Sequence, residues 1–153
     1  LQHLDNKAFD IVFPLLHGPN GEDGSIQGML KLMGLPFVGS DVLGSAVGMD
    51  KLMMKSVFAA HGLPQIKYQA VSRSEWLGSP EKVLSKLRKL GLPVFVKPAN
   101  LGSSVGISKA KDMKSLSLAL DEAARHDRRI IVEEAASQPR ELEVAVLGND
   151  HPE

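Results

Sequence analysis

Leu92-Pro93-Val94-Phe95-Val96-Lys97-Pro98-Ala99-Asn100-Leu101-Gly102-Ser103-Ser104-Val105-Gly106-Ile107-Ser108-Lys109 is the stretch on which the reading of this chain turns. Leu92 to Lys97 is a short apolar run bounded by Gly91 and Pro98, and it reads as a strand. Pro98 to Gly106 reads as a loop, and Ile107 to Lys109 as the returning strand of a hairpin. The glycines of the loop let backbone N–H groups approach an anion closely, and its serine hydroxyls add donors. Lys97 ends the first strand, where an ammonium can meet phosphates that the loop covers. A strand lysine under a glycine-serine lid points to a nucleotide, but the loop by itself suits an ordinary hairpin turn with a surface lysine equally well. It is not a Walker A loop, because that motif needs a lysine after the last glycine and Ile107 stands there.

Working outward, Ser79-Pro80-Glu81 combines a capping serine, proline at the first helical turn and an acidic residue, and predicts a helix running to Leu90 before Gly91. Upstream, Ile66 to Val71 reads as a strand, and Asp50 caps a helix through Leu52, Met53, Val57 and Phe58 to His61, ended by Gly62-Leu63-Pro64. Downstream, Asp112 to His126 is predicted helical on Leu116, Leu118, Leu120 and Ala123, and strands are expected at Ile130–Glu133 and Glu141–Leu147. Nearer the start, Asp10 to Leu16 reads as a buried parallel strand, His17 to Gly24 as a glycine-rich loop, and Ser25 onward as a helix with Ile26, Met29, Leu30 and Met33 at helical spacing before Gly34 and Leu35–Val38. Alternating strands and helices without internal repeats imply an α/β or α+β fold. Met29, Met33, Met49, Met53 and Met54 read as core filling, and Trp76 as a residue that fixes a loop.

The chain has 153 residues, 43% hydrophobic and 24% charged, as expected for a folded, water-soluble protein. Lysine plus arginine equals aspartate plus glutamate at 18 each, so no global charge favours nucleic acid or an anionic membrane, and phosphate binding must come from local basic sites. With no cysteine, disulfides, thiolate zinc sites and cysteine nucleophiles are excluded. Leu1 to Phe9 lacks the pattern of a signal peptide, and no apolar run reaches membrane-spanning length. The chain begins without methionine and stops just after an expected strand and turn, so both ends are expected to be cuts in a longer sequence.

Three further places carry candidate chemistry. His17-Gly18-Pro19-Asn20-Gly21-Glu22-Asp23-Gly24 follows a predicted strand and opens a helix, where α/β sheets present ligand sites; read alone, it also fits a tight connection capped by Asp23 or Ser25. Glu22 and Asp23 are adjacent and give no argument for a glycosidase pair. Lys51 and Lys55 lie one helical turn apart, so a second lysine can face a nucleotide or be merely solvated. Glu133 and Glu134 end one expected strand, and Glu141 and Glu143 share a face of the next, where a carboxylate can accept from ribose hydroxyls or simply be exposed. His3, His61, His126 and His151 show no metal-ligand spacing.

Taken together, these residues resemble the D-alanine:D-alanine ligase family over essentially the whole chain. His17 to Gly28 (HGPNGEDGSIQG) is similar to the family's HGxxGEDGxxQG signature, and GMLxLMGLPFVGS follows it. Met49-Asp50-Lys51 with Lys55, the VKPxxxGSSVG run from Val96 to Gly106, and VEE...RELEVAVLGN from Val132 to Asn149 occur in family order. Glu134 departs from the pattern where several relatives carry lysine, and Asn100-Leu101 replaces a common Arg/Glu pair.

The resemblance implies the end of a Rossmann-like pre-ATP-grasp domain at residues 1–48, the central ATP-grasp subdomain at 49–138 and the truncated start of the third at 139–153. It implies ATP, with Lys51 and Lys97 on its phosphates and Gly102, Ser103, Ser104 and Val105 in the covering loop. Ser103 also joins the group that positions the first D-alanine, Glu133 and the backbone near Ala136 match the adenine site, Glu141 matches the ribose carboxylate, and His17 lies near the first substrate. Mg2+ or Mn2+ is implied with ligands beyond residue 153, as are a catalytic arginine and the ω-loop. The implied whole is a cytoplasmic, dimeric ligase of peptidoglycan synthesis that joins two D-alanines through an acyl phosphate. The open alternatives are a D-alanine:D-lactate ligase, another ATP-grasp carboxylate-amine ligase, or a non-catalytic nucleotide-binding remnant. The isolated chain is expected to be inactive and prone to self-association along Glu141–Leu147.

Overall fold

The computed structural model describes residues 9–102 and 104–153. Phe9 to Leu16 runs extended but meets a neighbour at one point, a parallel bridge between Val12 and Phe37, with Val12 N donating to Pro36 O and Val38 N to Val12 O, both at 2.9 Å. The expected buried strand at Asp10–Leu16 is therefore a single bridge, and Ile11, Phe13 and Leu15 are 58%, 63% and 71% exposed. An apolar run becomes a buried strand only between partners on both sides, and among the described residues Pro36–Val38 alone flanks it.

Helix α1 (Ser25–Leu32) begins where predicted and turns out at Gly34, whose φ of +67° favours glycine. Helix α2 (Val42–Met49) is not evident from hydrophobic periodicity, because Gly44, Ser45 and Gly48 dilute its apolar pattern. The Asp41 carboxylate caps it by accepting from Val42 N and also accepts from Lys31 on α1 at 2.5 Å. The hydrogen bond from Lys31 is the main cause that holds the Asp41 carboxyl below its ordinary value. Helix α3 (Lys51–Ala60) follows directly, capped by Asp50, whose side chain accepts from Leu52 N and Met53 N.

The remaining elements form one layer of helices against one sheet. They are β1 (Tyr68–Ser72), α4 (Arg73–Gly78), α5 (Pro80–Leu87) with a 3-10 turn Arg88–Leu90, β2 (Val94–Pro98), β3 (Ser108–Ala110), α6 (Met113–His126) and β4 (Arg129–Glu134). The sheet order is β1-β4-β2-β3 and every pairing is antiparallel, so this part is an α+β unit. Helix α4 was hidden beside the stronger signal of α5; its start is a capping box in which Ser72 Oγ accepts from Glu75 N and Glu75 accepts from Ser72 N. Ser79 proves not to cap α5 with its side chain, although Pro80 occupies the first turn as expected.

Alternation along β2 and β4 decides which residues meet the helices. Val94 and Val96 on β2, with Ile130 and Val132 on β4, pack beneath α5 and α6 against Leu87, Leu116 and Leu120, while Phe95, Lys97 and Glu133 take the opposite face. Each fully buried leucine or isoleucine contributes about 1.5–3 kcal/mol. In α6 the buried stripe is Leu116, Ala119, Leu120, Ala123 and Ala124, the helical i, i+3, i+4 spacing; Leu118, expected in the pattern, is 62% exposed on the far face. Trp76 sits in α4 rather than in a loop, buried in the core, and its indole N–H donates to Asp121 at 2.8 Å. The expected methionine core is looser than predicted, with Met53 at 47% exposure.

Beyond β4 the chain has no further helix or strand. The strand expected at Glu141–Leu147 does not form, and Leu142, Val144, Val146 and Leu147 are 77%, 83%, 70% and 81% exposed. An extended segment becomes a ladder only beside another, and no strand among the described residues lies alongside it.

Candidate functional site

The open face of the sheet carries the charged groups. In the β2–β4 register Phe95 lies opposite Glu133 and Lys97 opposite Ile131, which makes Lys97 and Glu133 diagonal neighbours on one face. The Lys97 ammonium lies 2.5 Å from one oxygen of Glu133, and the Lys55 ammonium from α3 lies 2.9 Å from the other. Lys55 and Glu133 are buried, at 8% and 5% exposure. The Lys55 ammonium stands 5.1 Å from the Tyr68 ring centroid, and those of Lys97 and Lys109 stand 5.8 and 5.4 Å from that of Phe95.

Lys51 completes this basic group from the first turn of α3. Its backbone N–H donates to Ala99 O at 2.9 Å and its ammonium to Leu101 O at 2.5 Å, tying the helix to the start of the glycine-serine loop. Burial, followed by repulsion from Lys97, lowers the pKa of Lys51 against the attraction of Glu133, Asp50 and Asp127. Burial pushes the Glu133 carboxyl up, but the hydrogen bonds and charges of Lys55 and Lys97 outweigh it and hold the carboxyl below its ordinary value. Three ammonium groups around one carboxylate leave an excess of positive charge on this face.

The loop that follows is held at both ends. Ala99 N donates to Arg129 O at 2.9 Å and Asn100 N to the Asp127 carboxylate at 2.8 Å. Val105 N returns to Gly102 O, and Ile107 N to Ser104 O, both at 3.3 Å. Ser104 adopts a left-handed φ of 60°, a conformation that costs a serine about 1 kcal/mol or more. Gly106 at φ +69° has no room for a side chain, since a Cβ there would fall 2.8 Å from His126 and Pro98. Ser103, expected at the tip, lies outside the described residues.

Two motifs far apart in sequence meet here. A Cβ on Gly102 would stand 3.9 Å from both Glu22 Oε2 and Gly18 Cα, so the phosphate-type loop adjoins the His17–Gly24 loop. Glu22 shapes that second loop by accepting from Gly18 N at 2.6 Å, and His17 Nδ1 lies 3.8 Å from its other oxygen. An open cavity of about 540 Å3 runs from His17, Glu22 and Gln27 to Ser40, Ser45 and Met49. Gln27, which the hydrophobic pattern did not single out, is buried beside it, donating to Gly21 O at 3.0 Å.

Thus Lys51, Lys97, Gly102 and Glu133 converge, and Ser104 and Val105 project beside them as exposed loop residues. His17 lines the separate cavity described above, while Ala136 and Glu141 are exposed beyond β4, and no hydrogen bond or ion pair among the described residues joins Glu141 to the lysines. Two contacts escaped the sequence reading. One is the seat of Lys55 on Glu133; the other is the ion pair of Asp50 with Arg129, which joins the α3 cap to the first residue of β4. The shared helical face of Lys51 and Lys55 was a usable signal for the first, and the second has none in sequence.

Fold and site define a mixed α/β protein with lysines gathered on the open face of an antiparallel sheet beneath a glycine-serine loop. The family model described as D-ala D-ala ligase C-terminus matches residues 57–153, and D-ala D-ala ligase N-terminus matches residues 2–40, so the chain belongs to the D-ala D-ala ligase family. It is 55% identical to a D-alanine--D-alanine ligase of Bacillus velezensis over 97% of its own length and 42% of the relative's, and 57% identical to one of Bacillus cytotoxicus over 95% and 40%. The structure of the D-alanine-D-alanine ligase from Coxiella burnetii matches 94% of this chain and 42% of that one with a TM-score of 0.80 at 38% identity. The VanG D-Ala:D-Ser ligase from Enterococcus faecalis matches 94% and 40% with a TM-score of 0.77 at 35% identity. The chain therefore spans about two fifths of these relatives.

Proposed function

We propose that this chain is the middle part of an ATP-dependent ligase that joins two D-alanines into D-alanyl-D-alanine for peptidoglycan synthesis. The observation that carries the reading is the convergence of Lys51, Lys97 and the glycine-serine loop on one face of the sheet, within a chain of this family. Excess positive charge beside a glycine-serine loop suits a polyphosphate, so ATP fits the residues present. The curated relatives at 55% and 57% identity bear the name D-alanine--D-alanine ligase, which favours D-alanine over D-lactate as second substrate.

In this reading the γ-phosphoryl of ATP passes to the carboxylate of one D-alanine, the amine of the second attacks the resulting acyl phosphate, and inorganic phosphate leaves. Lys51 and Lys97 offset phosphate charge during transfer, and Gly102, Ser103, Ser104 and Val105 cover it and limit entry of water. Glu133 and the backbone at Ala136 lie toward adenine, Glu141 toward ribose, and His17 and Ser103 toward the first D-alanine. Residues 1–48 belong to a pre-ATP-grasp domain, 49–138 to the central subdomain and 139–153 to the start of the third. Mg2+ or Mn2+ belongs to the same reading with ligands beyond residue 153, since among the described residues no group of three or more metal-ligating side chains is placed to hold an ion. Among the described residues no helix is long and apolar enough to cross a membrane, and the reading places the ligase in the cytoplasm as a homodimer.

The test is steady-state kinetics of the full-length protein and its Lys97→Ala variant. Lower turnover and weaker ATP use are expected, and unchanged kcat with unchanged ATP KM would reject the assignment.

A further inference from the structure

We propose that Lys55 is a positioning residue that keeps the charge of Lys97 available to the nucleotide phosphates by sharing the Glu133 carboxylate with it. The inference rests on the nucleotide reading above. Its basis is the difference between two lysines on one carboxylate. The Lys97 side chain is 25% exposed and faces the open side of the sheet, whereas that of Lys55 is 10% exposed and lies against Tyr68. Lys55 is therefore the inner partner, and its ammonium is not placed to meet a ligand.

Charge bookkeeping then gives Lys55 a task. A single carboxylate between two ammonium groups leaves the trio one unit positive, and that unit is expressed where Lys97 is exposed. Without Lys55, Glu133 and Lys97 form a neutral pair beneath the loop, and Lys97 is drawn onto the carboxylate by both oxygens. A phosphate then competes with Glu133 for a charge already satisfied. Lys51 brings its own charge to the phosphates, but its ammonium bonds Leu101 O and not Glu133, so it does not relieve the pairing of Lys97 with that carboxylate. The role is electrostatic, so it falls more heavily on the charged phosphates than on the neutral adenosine part, which Glu133 itself lies toward.

The experiment is isothermal titration calorimetry of the full-length protein with ATP and, separately, with adenosine. Lys55→Met is expected to weaken ATP binding by roughly tenfold to a hundredfold, the effect of one unit charge at several ångströms in a half-buried site, while adenosine affinity falls by a clearly smaller factor. Lys55→Arg restores most of the ATP affinity because it restores the charge. The double variant Lys55→Met/Glu133→Gln returns the trio to one positive unit, so its ratio of ATP to adenosine affinity, which cancels the adenine contact of Glu133, exceeds that of Lys55→Met; without the Glu133 charge it is also the variant that folds if the single one does not. Unchanged ATP affinity in Lys55→Met, equal loss of ATP and adenosine, or an ATP-to-adenosine affinity ratio no higher in the double variant than in the single would each overturn the positioning role. Absence of ATP binding by the unmodified protein would instead remove the nucleotide reading, and this inference with it.

Discussion

Replacing Asp50 by alanine removes two supports at once. Asp50 is 6% exposed, caps α3 through Leu52 N and Met53 N at 3.1 Å each, and pairs with Arg129 across to β4. Loss of an N-cap costs about 1 kcal/mol. Breaking a buried ion pair costs about 3–5 kcal/mol, but the Arg129 side chain is 36% exposed and water can take over part of its solvation, which brings this term down to about 1–2 kcal/mol. The sum, about 2–3 kcal/mol, corresponds to a fall in Tm of roughly 4–12 °C for a chain of this size. Asp50→Asn keeps an acceptor for the cap and loses only the charge, so it should lose about half as much. Thermal and urea unfolding followed by circular dichroism measure both. A Tm for Asp50→Ala within about 1 °C of the unmodified chain would show that neither support bears on stability, and equal losses in the two variants would refute the division between cap and ion pair.

Other perturbations test other links. His17→Ala in the full-length protein should harm D-alanine use more than ATP affinity, because His17 lines a cavity to which none of Lys51, Lys55 and Lys97 contributes; separate titration of the two ligands decides, and a large loss of ATP binding with normal D-alanine KM would misplace the residue. Gly106→Ala forces a positive φ on an L-residue and a Cβ 2.8 Å from His126 and Pro98, and should lower stability by about 1–2 kcal/mol or more in a urea melt; an unchanged midpoint would refute the tight fit. Because the carboxyl of Glu133 is held below its ordinary value of 4.5, its contribution to stability is full above that value and is lost as pH falls through the lower folded one. Glu133→Gln should therefore flatten part of the acid unfolding curve below about pH 4.5, and an acid limb of unchanged slope would count against the ion cluster. Purified alone, the 153-residue chain should form no D-alanyl-D-alanine from ATP, Mg2+ and D-alanine; turnover near that of an intact relative would mean that the catalytic groups lie within it.

Sequence alone determined most of the local structure, because caps, periodicity and glycine stops act within one or two helical turns. Asp50 and Asp112 mark helix starts, Gly34 and Gly91 mark ends, and the β2–loop–β3 hairpin follows from Val94 to Ala110, all without reference to distant residues. The same residues in the same order carried the family resemblance, and with it the candidate phosphate lysines. Tertiary structure decided whatever depends on a neighbour. Asp10–Leu16 and Glu141–Leu147 have the composition of strands, but the described residues give the first a single bridge and the second no ladder, since strand hydrogen bonds must be completed by another segment. Leu118 and Leu120 are identical in hydrophobicity, yet only the position of the sheet makes Leu120 fully buried and leaves Leu118 outside. Lys55, Lys97 and Glu133 are separated by dozens of residues, and their meeting is set by the β2–β4 register and by the seating of α3 on the loop at Ala99 and Leu101. Coulomb energy depends on distance in space, so which lysine faces the open side and which is held beneath it is information that only the folded chain contains.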